Sequence, residues 1–321
     1  MIIVTGGAGF IGSCVIRTLN DAGIEDIVIV DNVADTNKWM NMRNKKYLEY
    51  VHKSEFLKKM SLYKDITAVI HMGAQSSTTE KRFDYLWKNN FEYTKALWDF
   101  CAERRISFIY ASSAATYGNG AKGFDDYLDI DCLQPLNAYG YSKQLFDLWV
   151  KRQAKVFPAQ YVGLKFFNVY GPNEYFKCNM ASMVFHGYNQ IKNLGTIKLF
   201  KSDVPEYQNG NQLRDFVYVK DICNVICWLL KNKHVSGLFN VGTGYAQSFR
   251  DLAEAIFHAL DMKTNITYID MPNELKGKYQ YYTKAEMDKL RNEGYQGNFR
   301  NLDAGVTDYV QNYLEKDFEI Y

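Results

Sequence analysis

Apolar and polar positions along this chain follow two periods. Six short apolar runs, rich in β-branched residues and bounded by Gly, Asn, Asp or Ser, read as buried strands. They are "IIVT" (2–5), "DIVIVD" (26–31), "AVIH" (68–71), "SFIYASS" (107–113), "YVGLKFFN" (161–168) and "GLFNVG" (237–242). Helix-length amphipathic segments lie between most of them, for example 11–22, 86–104 and 139–156. Strands alternating with helices predict a parallel sheet covered on both faces. Right-handed crossovers then make the α/β doubly wound (Rossmann) fold the economical topology.

The second half is less regular. "MASMVFHGYNQIKNL" (180–194) predicts a helix, "KSDVPEYQNGNQ" (201–212) a loop before "RDFVYVKD", and "SFRDLAEAIFHAL" (248–260) another helix. A short strand, "NITYID", and a C-terminal helix complete the pattern. With no repeat, low-complexity tract or linker, a second lobe is expected to interleave with the first.

"VTGGAGFIGS" (4–13) follows the first strand and opens the first helix. Gly6, Gly9 and Gly12 have the spacing G-x-x-G-x-x-G, and the second strand ends in Asp31, placed for a ribose hydroxyl. A pyrophosphate needs backbone N–H groups and the positive end of a helix dipole, and side chains at these positions would hold it away. Asp31 favours the free 2′-hydroxyl of NAD, whereas Asn32 and Lys38 point to the 2′-phosphate of NADP. Residues 1–167 with 216–244 are therefore expected to form the dinucleotide-binding domain. Residues 168–215 with 245–321 are expected to form a smaller C-terminal α/β substrate lobe.

Composition narrows the classes. A formal net charge of +2 gives no reason to expect nucleic acid or an acidic membrane as partner. The most basic stretch, "RNKKYLEYVHKSEFLKK" (43–59), contains interspersed Glu49 and Glu55 and reads as a solvated helix face. Six cysteines lack C-x-x-C or zinc spacing, so reduced thiols and no metal site are expected. No basic leader and no bilayer-length apolar run are visible, so the expected location is the cytoplasm.

The chemistry rests on a tyrosine. Tyr-x-x-x-Lys occurs three times, at Tyr139/Lys143, Tyr161/Lys165 and Tyr188/Lys192. Only the first follows a strand end rich in small hydroxyl residues, "ASSAATYG" (111–118), and opens a helix expected to pack beside it. Residues four apart on a helix share a face. Lys143 is thus expected to hold the nicotinamide ribose and lower the Tyr139 pKa, with Ser113 bonding the same substrate oxygen. That is a hydride-transfer site.

These residues resemble the extended short-chain dehydrogenase/reductases, and within them the ADP-L-glycero-D-manno-heptose 6-epimerases. The likeness is carried by "MIIVTGGAGFIGS", "SSTTE", "YASSAATYG", "PLNAYGYSK", "FFNVYGPNE", "KCNMAS", "RDFVYV" and "FNVGTG", and runs from Met1 to about Tyr282. The resemblance implies an NADP-dependent inversion at C6″ of an ADP-linked heptose through a 6″-ketone, for lipopolysaccharide core, in a homo-oligomer, a pentamer. It implies two acid/base groups, Tyr139 and Lys177; without it Lys177 reads as a loop lysine. Cofactor contacts are implied for Phe10, Ile11, Asp31, Asn32, Lys38, Lys53, Gly73, Ala74, Gln75, Ser76, Asn89, Lys143, Val169 and Lys177. The sugar nucleotide is assigned to Ser113, Asn168, Asn179, His186, Phe200, Arg214 and Tyr279. Arg214 suits a diphosphate because guanidinium binds it bidentately.

The sequence departs from the family in four places. Met72 and Gln75 replace a Glu and a Cys, "KSD" replaces "EGS" after Phe200, and an extra loop precedes Arg214. A 4,6-dehydratase would carry an acidic pair after its active-site hydroxyl residue, where this chain has Ala114 and Ala115. A 4-epimerase would have no use for Lys177. A non-catalytic homologue would have lost the Tyr or Lys.

Overall fold

The apolar runs become neighbours in one sheet, and their period-two alternation feeds both of its faces. In the computed structural model, which describes residues 1–153, 156–272 and 280–321, the chain begins with β1 (Ile2–Thr5), β2 (Ile27–Asp31), β3 (Glu49–His52), β4 (Ala68–His71), β5 (Ser107–Ser113) and β6 (Gln160–Phe166). It continues through β7 (Asn168–Tyr170), β8 (Ile197–Phe200), β9 (Leu213–Tyr218), β10 (Gly237–Val241), β11 (Ala246–Ser248) and β12 (Ile266–Ile269). The helices are α1 (Phe10–Asp21), α2 (Lys53–Lys59), α3 (Phe83–Leu86), α4 (Tyr93–Arg104) and α5 (Ala138–Lys151) before β6. After it come α6 (Met183–Leu194), α7 (Val219–Lys231), α8 (Phe249–Ala259), α9 (Asp288–Asn292) and α10 (Leu302–Tyr309).

Seven parallel strands form the central sheet in the order β10-β6-β5-β4-β1-β2-β3. This is the α/β doubly wound arrangement. Ile2, Val4, Ile29 and Ile70 pack on one side with Val15, Ile16, Ile222 and Ile226 of α1 and α7. Ile3, Val28, Val30 and Val69 pack on the other with Trp98 and Phe146 of α4 and α5. A three-stranded sheet, β11-β9-β7, and a two-stranded one, β12-β8, stand beside it.

Three expectations shift. The run 161–168 leaves the central sheet at Phe166; Phe167 N–H donates to Val241 O at 3.2 Å, and Asn168 begins β7 against β9. The single helix expected over 86–104 is two α-helices joined by a π turn, Trp87–Glu92. The stretch 43–59 is not one helix face: it supplies the edge strand β3, mostly exposed, and then α2. A very short strand with a carboxylate at one end protects a sheet edge, and its brevity hid it in the sequence. Residues 154 and 155 of the helix expected over 139–156 lie outside the described residues. Among the described residues no helix is long and apolar enough to cross a membrane.

Beneath the sheet's catalytic end lies a buried ion pair. Asp147 on α5 accepts from Lys165 Nζ (3.1 Å), Ser112 Oγ (2.7 Å) and Tyr110 Oη (3.1 Å), and Lys165 also donates to Thr116 Oγ1 (2.6 Å). Removing one partner strands the other in a dry interior. Asp147→Ala is therefore expected to destabilise the fold by about 3–5 kcal/mol, read as a large fall in thermal unfolding midpoint. A midpoint within a degree or two of wild type would contradict it.

Candidate active site

The first turn of the fold is built around missing side chains. Gly6 adopts φ +70°, and a Cβ there would lie 2.4 Å from Gly73 N. A Cβ on Gly12 would lie 2.2 Å from Gly6 O, so the turn closes onto the start of α1 only with glycine. The free N–H groups and dipole of α1 then face a cleft of about 710 Å³. Gly12→Ala is expected to weaken dinucleotide binding by more than ~10-fold, about 1.4 kcal/mol, in a calorimetric titration. Unchanged affinity would remove the loop from the binding site.

Asp31 closes the far corner. One oxygen accepts from Ala8 N–H at 2.9 Å, and the other from Asn32 N–H at 2.7 Å and Lys38 Nζ at 3.1 Å. Asp31, Asn32, Lys38, Lys53 and Asn89 border an adjoining hollow of about 160 Å³. Lys53 donates to Asn89 Oδ1, and burial lowers its pKa against the pull of Asp31.

The π turn explains a residue that sequence reasoning missed. Asn89 faces Lys53, and the next residue, Asn90, is buried behind the cleft. Its amide accepts from Gln75 N–H (2.8 Å) and donates to Gln75 O (2.9 Å) and Ser142 Oγ (2.9 Å); Ser142 in turn donates to Tyr139 O at 2.7 Å. The loop Gly73–Ser76 is thereby tied to the tyrosine helix. The tandem Asn in "WKNNFE" was the available signal. Behind it His71 bridges Thr5 Oγ1 (2.5 Å) and Thr94 Oγ1 (2.9 Å); burial, reinforced by Lys143 and Lys53, pushes its pKa down to about 3, so it is a neutral brace.

Asn137 caps α5, its Oδ1 accepting from Gly140 N–H at 2.8 Å, which fixes the first turn where Tyr139 sits. Tyr139, Lys143 and Ser113 all line the cleft. Burial holds the Tyr139 phenol above its ordinary pKa, and the pull that opposes it comes from a hydrogen bond with Ser113. This corrects the expectation that Lys143 lowers it. The Lys143 ammonium donates to Ala111 O at 2.8 Å; burial draws it down to about 8, with Asp147 one turn on pulling it back up.

The competing tyrosines are spent elsewhere. Lys165 is locked to Asp147, while Tyr188 (2.6 Å) and Lys192 (2.9 Å) both bond Glu315.

Lys177 enters from the loop after β7 and lines the same cleft, its ammonium 5.1 Å from the Phe10 ring centroid. Burial lowers its pKa and Glu174 raises it. Phe10, Ile11, Gly73, Ala74, Gln75, Ser76, Asn168 and Val169 line the cleft as well. The remaining substrate residues are more dispersed. Asn179, His186 and Phe200 do not border the cleft. Arg214 stands behind Phe249, 5.6 Å from its ring centroid, and Phe249 is the residue that reaches the cleft. Tyr279 lies outside the described residues. Phe176, Met180, Met183, Phe216 and Phe249 complete the wall and were not anticipated, since apolar residues in a core-forming pattern carry no separate signal.

Residues 2–242 match the NAD dependent epimerase/dehydratase family. The chain belongs to that family. It is 52% identical over 318 residues to a curated protein of Nitratidesulfovibrio vulgaris named ADP-L-glycero-D-manno-heptose-6-epimerase, covering 98% of each chain. A solved structure of the Helicobacter pylori enzyme of that name superposes with a TM-score of 0.83 at 27% identity, covering 97% of this chain and 95% of that one. UDP-glucose 4-epimerase from Thermotoga maritima, solved with UDP-glucose, superposes at 0.81 with 24% identity and 99% coverage of both, a likeness of fold. Membership in this family makes the cofactor of the glycine loop a nicotinamide dinucleotide.

Proposed function

We infer that the chain inverts C6″ of an ADP-linked heptose, interconverting ADP-D-glycero-β-D-manno-heptose and ADP-L-glycero-β-D-manno-heptose through a transient 6″-ketone. One observation carries the mechanism: two groups able to move protons, Tyr139 on α5 and Lys177 on the loop after β7, line a single cleft. The 52% identity to a curated 6-epimerase supports the substrate.

The residues present fit the cofactor, because the glycine turn leaves α1's N–H groups open and Asp31 marks the ribose corner. When bound, a nicotinamide dinucleotide supplies a hydride acceptor that later returns the hydride. Lys143 holds its ribose. Tyr139 and Ser113 hold the C6″ oxygen of one epimer, and Tyr139 takes the hydroxyl proton as the C6″–H bond breaks. Lys177 gives a proton to the ketone oxygen when the hydride returns to the other face. Asn168 and Arg214 are assigned to orienting the sugar nucleotide, the latter from behind Phe249. No net oxidation results, and solvent exchange resets the two acid/base groups.

NADP is the assigned cofactor, with NAD the alternative. Lys38 already occupies an Asp31 oxygen at 3.1 Å, which blunts repulsion of a 2′-phosphate, and Lys53 borders the same hollow. The product is assigned to lipopolysaccharide core supply, the enzyme to the cytoplasm as a homo-oligomer, and the substrate lobe to 168–215 with 245–321. Six unpaired cysteines suit a reducing compartment.

The test uses purified protein without added cofactor, offered ADP-D-glycero-β-D-manno-heptose and, separately, UDP-glucose, with products followed by proton NMR. The L-glycero epimer is expected from the first and no change in the second. Conversion of UDP-glucose alone would place the chain among the 4-epimerases.

A further inference from the structure

Lys177 sits on a loop whose shape is imposed. Asn173 (φ +73°) and Cys178 (φ +49°) both adopt the left-handed region, and Gly171 has φ +142°. Non-glycine residues rarely hold such angles unless their surroundings dictate them. Asn173 is held by Ser13, Asn41 and Tyr321, and the rest of the loop is gathered on one carboxylate. Glu174 is fully buried, and its Oε1 accepts from Gly171 N–H (3.3 Å) and Ser182 Oγ (2.6 Å), its Oε2 from Ser182 N–H (2.6 Å). It thus closes the chain from Gly171 to Ser182 into a ring with Lys177 inside it. Glu174 and Lys177 are also the first and last residues of one tight turn, Lys177 N–H donating to Glu174 O at 3.0 Å.

Burial raises the Glu174 pKa, and Lys177 with the Ser182 and Gly171 donors pulls it back down. Both oxygens receive N–H or O–H groups, an arrangement that favours the ionised carboxylate. The other titratable groups facing Glu174 are neutral: Tyr309 from α10 and Tyr175 beside it, both raised by burial, and Cys14 from α1, whose thiol burial pushes up to about 12. Lys177 is the cation facing it.

We propose that Glu174 is the positioning residue of the second acid/base group: it ties down the Lys177 loop and gives the ammonium a carboxylate counter-charge. This rests on Lys177 moving a proton in the proposed reaction. Burial lowers the Lys177 pKa, and Glu174 opposes that. A Gln at this position keeps the size and loses the charge.

The experiment titrates Lys177 directly. Wild type, Glu174→Gln and Glu174→Asp are exposed to an amine-acylating reagent across pH 6–11, and Lys177 labelling is quantified by peptide mass spectrometry. The expected result is a Lys177 titration about one pH unit lower in E174Q, an opposite charge nearby being worth one to three units, and a smaller shift in E174D. The kcat limb due to Lys177 should move with it, KM changing far less. A titration that stays in place in E174Q overturns the proposal, even if activity falls. Should E174Q not fold, the reciprocal measurement decides. In Lys177→Met, ¹³C-labelled Glu174 must titrate at higher pH than in wild type, since the coupling is equal in both directions. No change there overturns it equally. Labelling needs no turnover, so failure of this coupling and absence of epimerase activity are separate results.

Discussion

Tyr139→Phe lowers epimerisation by about 10²–10⁴-fold with the fold and dinucleotide affinity intact. The substitution removes one oxygen and leaves the ring where α5 and its Asn137 cap hold it. On the proposed mechanism, what is lost is the proton acceptor at the C6″ oxygen and the partner of Ser113. Ser113 cannot substitute, since its oxygen already accepts from Ala115 N–H at 3.1 Å and lacks a base of its own. Lys143 does not restore the rate, because its ammonium is held on Ala111 O. The measurement is kcat at saturating substrate together with a cofactor titration; a loss below tenfold would remove Tyr139 from the chemistry.

Lys177→Met has the second large effect and a more diagnostic one. Epimerisation is expected to fall by about 10²–10⁴-fold, the range for loss of a general acid or base. The half-reaction that uses Tyr139 survives. One epimer alone should therefore still generate reduced-nicotinamide absorbance in a single turnover, and the other should not. Methionine keeps an unbranched side chain of similar length and gives up the ammonium that stands over the Phe10 ring. A variant with full activity would mean that one residue serves both directions, as a rotating 4-keto sugar allows.

Much of this was legible in the chain. The glycine turn could be read because its function requires the absence of side chains, and strands β4 and β5 matched their apolar runs to the residue. Tyr139 was distinguishable from Tyr161 and Tyr188 by context, and the structure gives the physical reason: the rivals' lysines are committed to Asp147 and Glu315. Other features left no local trace. Edge strand β3 is four residues long and set among charged ones, and the π turn lies in a run patterned as plain helix. Glu174 looks like any loop carboxylate until its three donors, two of them eight residues away, are brought around it. Arg214 carried a chemical signal for the diphosphate, yet its guanidinium stacks by Phe249, a layering that depends on β9 and α8 meeting.

The most direct measurement uses ADP-D-glycero-β-D-manno-heptose deuterated at C6″, turned over in ordinary water and followed by NMR and mass spectrometry. Hydride removal and return within one cleft predicts an L-glycero product that keeps its deuterium at C6″. Product carrying solvent hydrogen at C6″ would mean that a carbon-bound proton, and no hydride, leaves the sugar, and would contradict the 6″-ketone route.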